Sequence, residues 1–414
     1  MGFVSQDWMF SSAILVLVLM LVMLVPPCSS TASKNTENNV KTTVYLSPKI
    51  ELSPGFISNK IYYDVEFPKG HVALKSFQAE LVDESGNSVP LQETYLHHWI
   101  VLRYRQPKNA TNQTGIIIER NDGVCQGDTV DETFGRGAET RGTNPYIPDP
   151  YGLEIGNPSN IQEGYDEKWI INVLAIDTRG VEDRVGCYEC RCDLYNHTSI
   201  NAFTGKPLTP SYKGGLGCCP DNAQCRMKKG FWGPKNTLYL KYTIKWVNWD
   251  EFVIPVKIYL LDVTDHLKIS YNYKSTGMSI KHTCKTEYQV KPCNKSHVGG
   301  CVDVKRASVP INTAGYIVYG VAHQHVGAIR STLYGQDGRV ICNSFPTYGT
   351  GMEAGNEKGF VVGMSACYPK PGSVKLFDGE ILTAEALYNN SIEHTGVMGH
   401  FYILVAEKLP HHHV

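Results

Sequence analysis

Two histidines one residue apart, His323-Gln324-His325, close the apolar run Ile317-Val318-Tyr319-Gly320-Val321-Ala322, and Met398 lies in the later stretch Thr395-Gly396-Val397-Met398-Gly399-His400-Phe401-Tyr402. Residues i and i+2 of a strand point to one face, so both imidazoles can aim at one ion. A thioether then completes a three-coordinate nest suited to copper(I). The plainer alternative is two surface histidines on an edge strand and a methionine that fills core. A second pair, His97-His98, sits in the hydrophobic run Tyr95-Leu96-His97-His98-Trp99-Ile100-Val101-Leu102. Adjacent residues of a regular strand face opposite sides, so joint binding there requires a bulge or the use of different ring nitrogens. The alternative is one exposed and one hydrogen-bonded core histidine. His394 and His400 flank Met398 as structural or supporting candidates.

Other familiar chemistries are missing from the sequence. It has no Gly-x-Ser-x-Gly elbow, no P-loop, no His-Glu-x-x-His and no Gly-x-Gly-x-x-Gly opening a helix. Gly349-Thr350-Gly351-Met352-Glu353-Ala354-Gly355 has the wrong spacing and reads as a loop. With 39 Lys and Arg against 40 Asp and Glu and no basic run, nothing points to nucleic acid or to an anionic membrane surface.

The elements that must carry these histidines read as strands. Runs rich in Tyr, Val, Ile and Thr recur at 42–46, 95–104, 169–176, 237–246 and 253–263, then at 313–322, 331–343, 359–364, 379–384 and 397–406. Gly, Pro, Asn and Asp punctuate the gaps, and no long amphipathic helical stretch appears. The expectation is an all-β chain of 414 residues with two β-sandwich domains in tandem, 42–266 and 267–409, the second carrying the His323/His325/Met398 set. Residues 187–225 form a loop-like insertion in the first domain that holds six cysteines. It is either stapled by disulfides or, on Cys187-x-x-Cys190-x-Cys192, folded round zinc.

Residues 9–25 are apolar except for Ser11 and Ser12 and are followed by small residues, so 1–32 reads as a secretory signal, or as an uncleaved anchor with the body on the lumenal side. The membrane enters only through that segment. Beyond Cys28 twelve cysteines remain, an even number that permits complete pairing, with the adjacent Cys218 and Cys219 taking different partners. Sequons at Asn109, Asn112, Asn196, Asn294 and Asn389 fit a glycoprotein of the cell exterior or cell wall. His411-His412-His413 reads as a solvated tail.

Taken together, these pieces resemble the copper type II, ascorbate-dependent monooxygenases, the family of peptidylglycine hydroxylase and dopamine β-hydroxylase. His97-His98-Trp99 is similar to that family's His-His-Met, and Ala322-His323-Gln324-His325-Val326-Gly327 to its His-Thr-His stretch. Gly379-Glu380-Ile381-Leu382 through Tyr388-Asn389 resembles its Gly-Asp-x-Leu…Tyr-Asn stretch, and Met398 with Tyr402 its Met-x-x-x-Tyr strand. Over nearly the whole chain beyond the signal, the sequence resembles the plant stress up-regulated nodulin family. The monooxygenase resemblance implies jelly-roll-type sandwiches, a copper held by His323, His325 and Met398, a second held partly by His97 and His98, and Tyr402 as a residue that positions substrate. That second site needs a third histidine in a strand reading Leu-x-Val-His-Tyr. Lys245 stands there in Leu240-Lys241-Tyr242-Thr243-Ile244-Lys245-Trp246, or Leu174 in a weaker alignment. A protonated lysine has no lone pair and repels a cation. His71, His266 and His282 are the other histidines that could substitute.

Two functions follow as expectations. One is a secreted, stress-associated glycoprotein with a monooxygenase-like scaffold and one His/His/Met copper site. The other is a copper- and ascorbate-dependent C–H hydroxylase that uses dioxygen on a small-molecule or peptide substrate. Recognition of carbohydrate or protein through Tyr-rich surfaces is a third class.

Overall fold

Segments that alternate apolar with polar residues and carry many branched and aromatic side chains fold as strands here, because such side chains pack well on a pleated surface with one face buried. Strand makes up 51% of the chain and helix 5%, in several sheets stacked like sandwiches, as the sequence predicts. The computed structural model describes residues 39–125, 132–195, 200–201, 205–271, 278–293 and 300–410. The N-terminal segment 1–32, the sequons at Asn196 and Asn294 and the terminal histidines lie outside the described residues. Residues from Val40 onward form one compact unit. Among the described residues no helix is long and apolar enough to cross a membrane.

The strands that matter most in the N-terminal half are β1 (Lys41–Leu46), β2 (Ile57–Tyr63), β3 (Val72–Asp83), β4 (Thr94–Pro107), β5 (Tyr151–Ile155), β6 (Tyr165–Asp177) and β7 (Asn236–Asn248). Those of the C-terminal half are β8 (Ile254–Asp262), β9 (Glu287–Val290), β10 (Val302–Pro310), β11 (Gly315–Gln324), β12 (Ala328–Tyr334), β13 (Val340–Ser344), β14 (Ile381–Asn389) and β15 (His394–Ala406). One ten-stranded sheet runs through both halves in the order β1-β7-β3-β5-β8-β15-β11, ending on Lys375–Leu376, with Ile50–Leu52 paired to β7 and β9 paired to β15. The halves join where β5 and β8 run parallel, Tyr151 beside Ile254 and Gly152 beside Pro255.

A sheet in the order β2-β6-β4, extended by Ile117–Glu119 and Phe134–Arg136, closes the first core, where Trp99, Val101, Ile171 and Leu240 are fully buried. A sheet in the order β10-β14-β12-β13 closes the second, around Val321, Leu333, Leu382 and Phe401. Strand β8 precedes residue 267, yet it pairs with β15 from Val256–Ala406 to Asp262–His400 and its apolar side chains lie in the second core. Residues 331–343, expected as a single strand, are divided between β12 and β13 by a turn in which Gly338 adopts a φ of 80°. Strands β2, β3 and β10 add to those expected.

Six disulfides pair all twelve cysteines: Cys125–Cys284, Cys187–Cys225, Cys190–Cys219, Cys192–Cys218, Cys293–Cys301 and Cys342–Cys367. The cysteine-rich insertion is therefore stapled, no thiolate remains for zinc, and the chain matures in an oxidising environment. Its cysteines 187, 190, 218, 219 and 225 are buried in the first core.

Candidate metal centre

Strands β11 and β15 run antiparallel with His323 opposite His400 and Gln324 opposite Gly399. One further step sets His325 across from Met398, and the alternation of the pleat places His323, His325, Met398, His400 and Tyr402 on one face. At that step the backbone ladder ends, and Tyr388 of β14 replaces it. Its buried hydroxyl accepts from His325 N at 2.8 Å and donates to Met398 O at 2.6 Å.

His97 and His98 arrive from the other half by a different device. In the β4–β6 ladder Leu96 pairs with Ala175 and the next pair is His98 with Leu174, leaving His97 as an extra residue. This bulge turns both neighbouring rings inward, to 2% and 4% exposure. Ring centroids are 5.6 Å apart for His97–His98, 5.3 Å for His97–His325, 5.2 Å for His323–His325 and 6.1 Å for His323–His400. The two pairs thus belong to one row of five imidazoles.

Two of the rings are oriented through one nitrogen. His98 Nε2 donates to Asn172 Oδ1 at 2.7 Å, since the Asn172 amide is itself donating to Asn59 and Lys60. His323 Nδ1 donates to Glu139 Oε1 at 2.6 Å, which points Nε2 away from the carboxylate. Gly137 opens the short turn that carries Glu139, and a Cβ there would lie 2.6 Å from His97 O and 3.1 Å from His323 Cε1. Burial would raise the Glu139 carboxyl, but His323 and Arg136 outweigh it and hold Glu139 at about 2. His97 Nδ1, His98 Nδ1, His325 Nε2 and His400 Nε2 are buried with no hydrogen-bond partner. His400 Nε2 stands 3.9 Å from Asp262 Oδ2, an oxygen already taken by Thr264 Oγ1 and Thr286 N.

Burial, then the neighbouring imidazoles, pushes His97 and His325 well below the usual range. Burial pushes His98 and His400 down to about 4. These four rings are neutral at neutral pH, which is the form that offers lone pairs to a metal. An ion about 2 Å from a ring nitrogen sits about 3.2 Å from the ring centroid, so two rings sharing it at tetrahedral to trigonal angles stand about 5.2–5.5 Å apart. The His323–His325 and His97–His325 separations match that spacing. His98, His323, His400 and Met398 bound a cavity of about 30 Å³. Two disulfides flank the row: Cys190–Cys219 within 4.8 Å of a His97 nitrogen, and Cys125–Cys284 within 4.8 Å of an Asp262 oxygen.

The profile of the family described as stress up-regulated Nod 19 matches residues 38–408. The chain belongs to this family. No curated protein matches the sequence. Among solved structures, the Nod 19 chain is aligned with the VP2 subviral particle of infectious bursal disease virus at 10% identity, covering 89% of this chain and 73% of that one with a TM-score of 0.18. It is aligned with the Bacillus thuringiensis insecticidal crystal protein Cry7Ca1 at 10% identity, covering 83% and 53% with a TM-score of 0.14. At such scores neither alignment bears on fold or activity.

In this Nod 19 chain Tyr402 reaches the cavity, but its hydroxyl donates to Glu132 Oε1 at 2.7 Å, and burial pushes that carboxyl up to about 7. Lys245 is exposed on β7 between Thr42 and Ser76, on a strand that does not reach the imidazoles, and Leu174 is buried opposite His98. His71 pairs with Glu154 at 2.8 Å, His282 with Asp265 at 2.6 Å and His394 with Glu189 at 2.8 Å, each outside the row. Glu139 and Asn172 carry no motif that sequence reasoning could have used, and the Tyr388-Asn389 stretch marked Tyr388 without indicating that its hydroxyl ties His325 to Met398.

Proposed function

We propose that this Nod 19 protein is a secreted, stress-associated copper-binding protein whose ion is held by His323, His325 and Met398, with His97 the next imidazole in reach. What carries the reading is the buried row of imidazoles, four of them neutral with an unpartnered nitrogen each, in which His323–His325 and His97–His325 are spaced as rings that share an ion. Unpaired polar atoms in a core are costly, and a metal ion shared by neighbouring rings is one way to satisfy them. A thioether beside neutral nitrogens favours copper(I) over harder ions. Copper bound there would supply one-electron redox chemistry. The chain's share is to orient the rings through Glu139 and Tyr388 and to keep water away from them. Exposed Asn109, Asn112 and Asn389 are suited to glycosylation at the cell surface or wall.

A C–H hydroxylase using dioxygen and ascorbate is the second reading. It needs two electrons from metal, hence a second ion, and the feature in its favour is that His98 and His400 line one cavity with a free nitrogen each. The experiment is copper analysis and electron paramagnetic resonance of the secreted protein with its His323→Ala and His97→Ala variants. One copper per chain, lost in His323→Ala and weakened about tenfold in His97→Ala, supports the first reading. Two coppers with ascorbate-dependent oxygen uptake support the second, and no bound copper sinks both.

A further inference from the structure

Residues 228–235, Lys-Lys-Gly-Phe-Trp-Gly-Pro-Lys, set two adjacent aromatic rings among three lysines, a local density that the balanced overall charge conceals. The segment is a turn tied to the body of the protein. Lys228 N donates to Gly180 O at 2.8 Å, Phe231 N to Lys228 O at 3.1 Å and Arg179 Nη2 to Pro234 O at 2.8 Å. Arg179 is itself clamped on the buried carboxylate of Asp177, through Nε at 3.0 Å and Nη2 at 2.6 Å. The Phe231 ring lies against Gly180, whose φ is 67° and where a Cβ would collide with it. With Phe231 seated there, Trp232 is held outward at 84% exposure, with no ring or hydrogen-bond partner among the described residues. Lys235 pairs with Glu51 at 3.0 Å and Arg226 with Glu182 at 3.9 Å. Exposed Lys228 and Lys229 have no ion-pair partner among the described residues, so the turn carries uncompensated positive charge.

We propose that this turn docks an acidic polysaccharide, a chain of pyranose rings that bear carboxylates. The face of the Trp232 indole is electron-rich, and the polarised C–H groups on the flat side of a sugar ring stack on it. Lys228 and Lys229 supply compact positive charges for carboxylates on neighbouring sugars. The turn is already fixed by its bonds to Gly180 and Arg179, so docking orders little that is not ordered beforehand. The six disulfides put this surface in a lumen or outside the cell. Anionic lipids that attract basic segments lie in the cytoplasmic leaflet, so the polyanion that meets this turn is a glycan and not a bilayer. The site shares no residue with the imidazole row and needs no metal.

The test is calorimetric titration of the whole protein with an oligogalacturonate, a neutral cello-oligosaccharide of equal length, polyglutamate and phosphatidylserine vesicles. Saturable binding of the oligogalacturonate that weakens with added salt is expected, with the other three weaker by about tenfold or more. Trp232→Ala is expected to weaken the oligogalacturonate about tenfold and, because the ring is exposed, to leave Tm unchanged. Lys228→Gln/Lys229→Gln is expected to weaken it by about as much and to flatten the salt dependence. His323→Ala is expected to bind it as the parent does, so that failure of the copper reading leaves this one standing. Absence of saturable oligogalacturonate binding overturns the proposal, as does full affinity in either turn variant. Equal binding of polyglutamate or of the neutral sugar, or a preference for the vesicles, overturns it as well.

Discussion

The two histidine pairs reach the same row by opposite local geometries. His323 and His325 are delivered by regular alternation at the end of β11, and their companions Met398 and His400 by the same alternation in β15, so one hydrogen-bonded register aligns four side chains. His97 and His98 are delivered by an irregularity, a bulge that exists only because β4 is paired with β6 on one side of it and resumes on the other. The difference is one of robustness. A register shared by two long strands is held by many bonds, whereas a bulge depends on the packing immediately around it.

That contrast can be broken most severely at the Cys190–Cys219 disulfide, which lies beside His97 and closes a loop of 29 residues. Cys190→Ser/Cys219→Ser should cost about 3–4 kcal/mol in denaturant unfolding. It should disturb the spectroscopic signature of the bulged pair while leaving copper at His323 and His325. Equal disturbance of both pairs would sink the distinction.

Acid is next. His98 and His400, held at about 4 by burial, titrate near about 6.5 when unfolded, so the unfolded chain takes up protons first. Stability of the metal-free protein should be whole above about pH 6.5 and fall by a few kcal/mol as pH drops toward 4, read from urea midpoints. A flat profile over that interval would show that these rings are not buried neutral.

Glu139→Gln sharpens the comparison from the regular side. It keeps the turn's shape but removes the charge that orients His323, and copper affinity should fall about 10- to 100-fold with little change in fold. Asn172→Ala is its counterpart for His98 and should cost about 1–3 kcal/mol of stability with a smaller effect on copper. The smallest effect belongs to Lys245→His. Because Lys245 is exposed on β7, the new imidazole should leave copper stoichiometry unchanged and stability within about 0.5 kcal/mol.

Legibility in the sequence follows the same division. Strands such as β4, β6 and β15 are long runs of branched and aromatic residues, and they are readable because packing and propensity agree. Strand β3, Val-Ala-Leu-Lys-Ser-Phe-Gln-Ala-Glu-Leu-Val-Asp, is rich in helix formers and becomes a strand through its position between β7 and β5. Lys75 in it is 1% exposed and reaches Asp149 at 2.9 Å and the Tyr151 carbonyl, partners that no local pattern announces.

The sequence by itself determined the all-β class, the even set of cysteines, the family and the spacing that puts His323 and His325 on one face, because each depends on composition or on the two-residue period of a strand. Only the tertiary structure decided that His97 and His98 turn the same way, that His400 joins them, that Glu139 orients His323, and that Lys245 stands apart. Those facts depend on which strands become neighbours and where a ladder slips by one residue, and such pairings bring together positions as distant in the chain as His97 and His325.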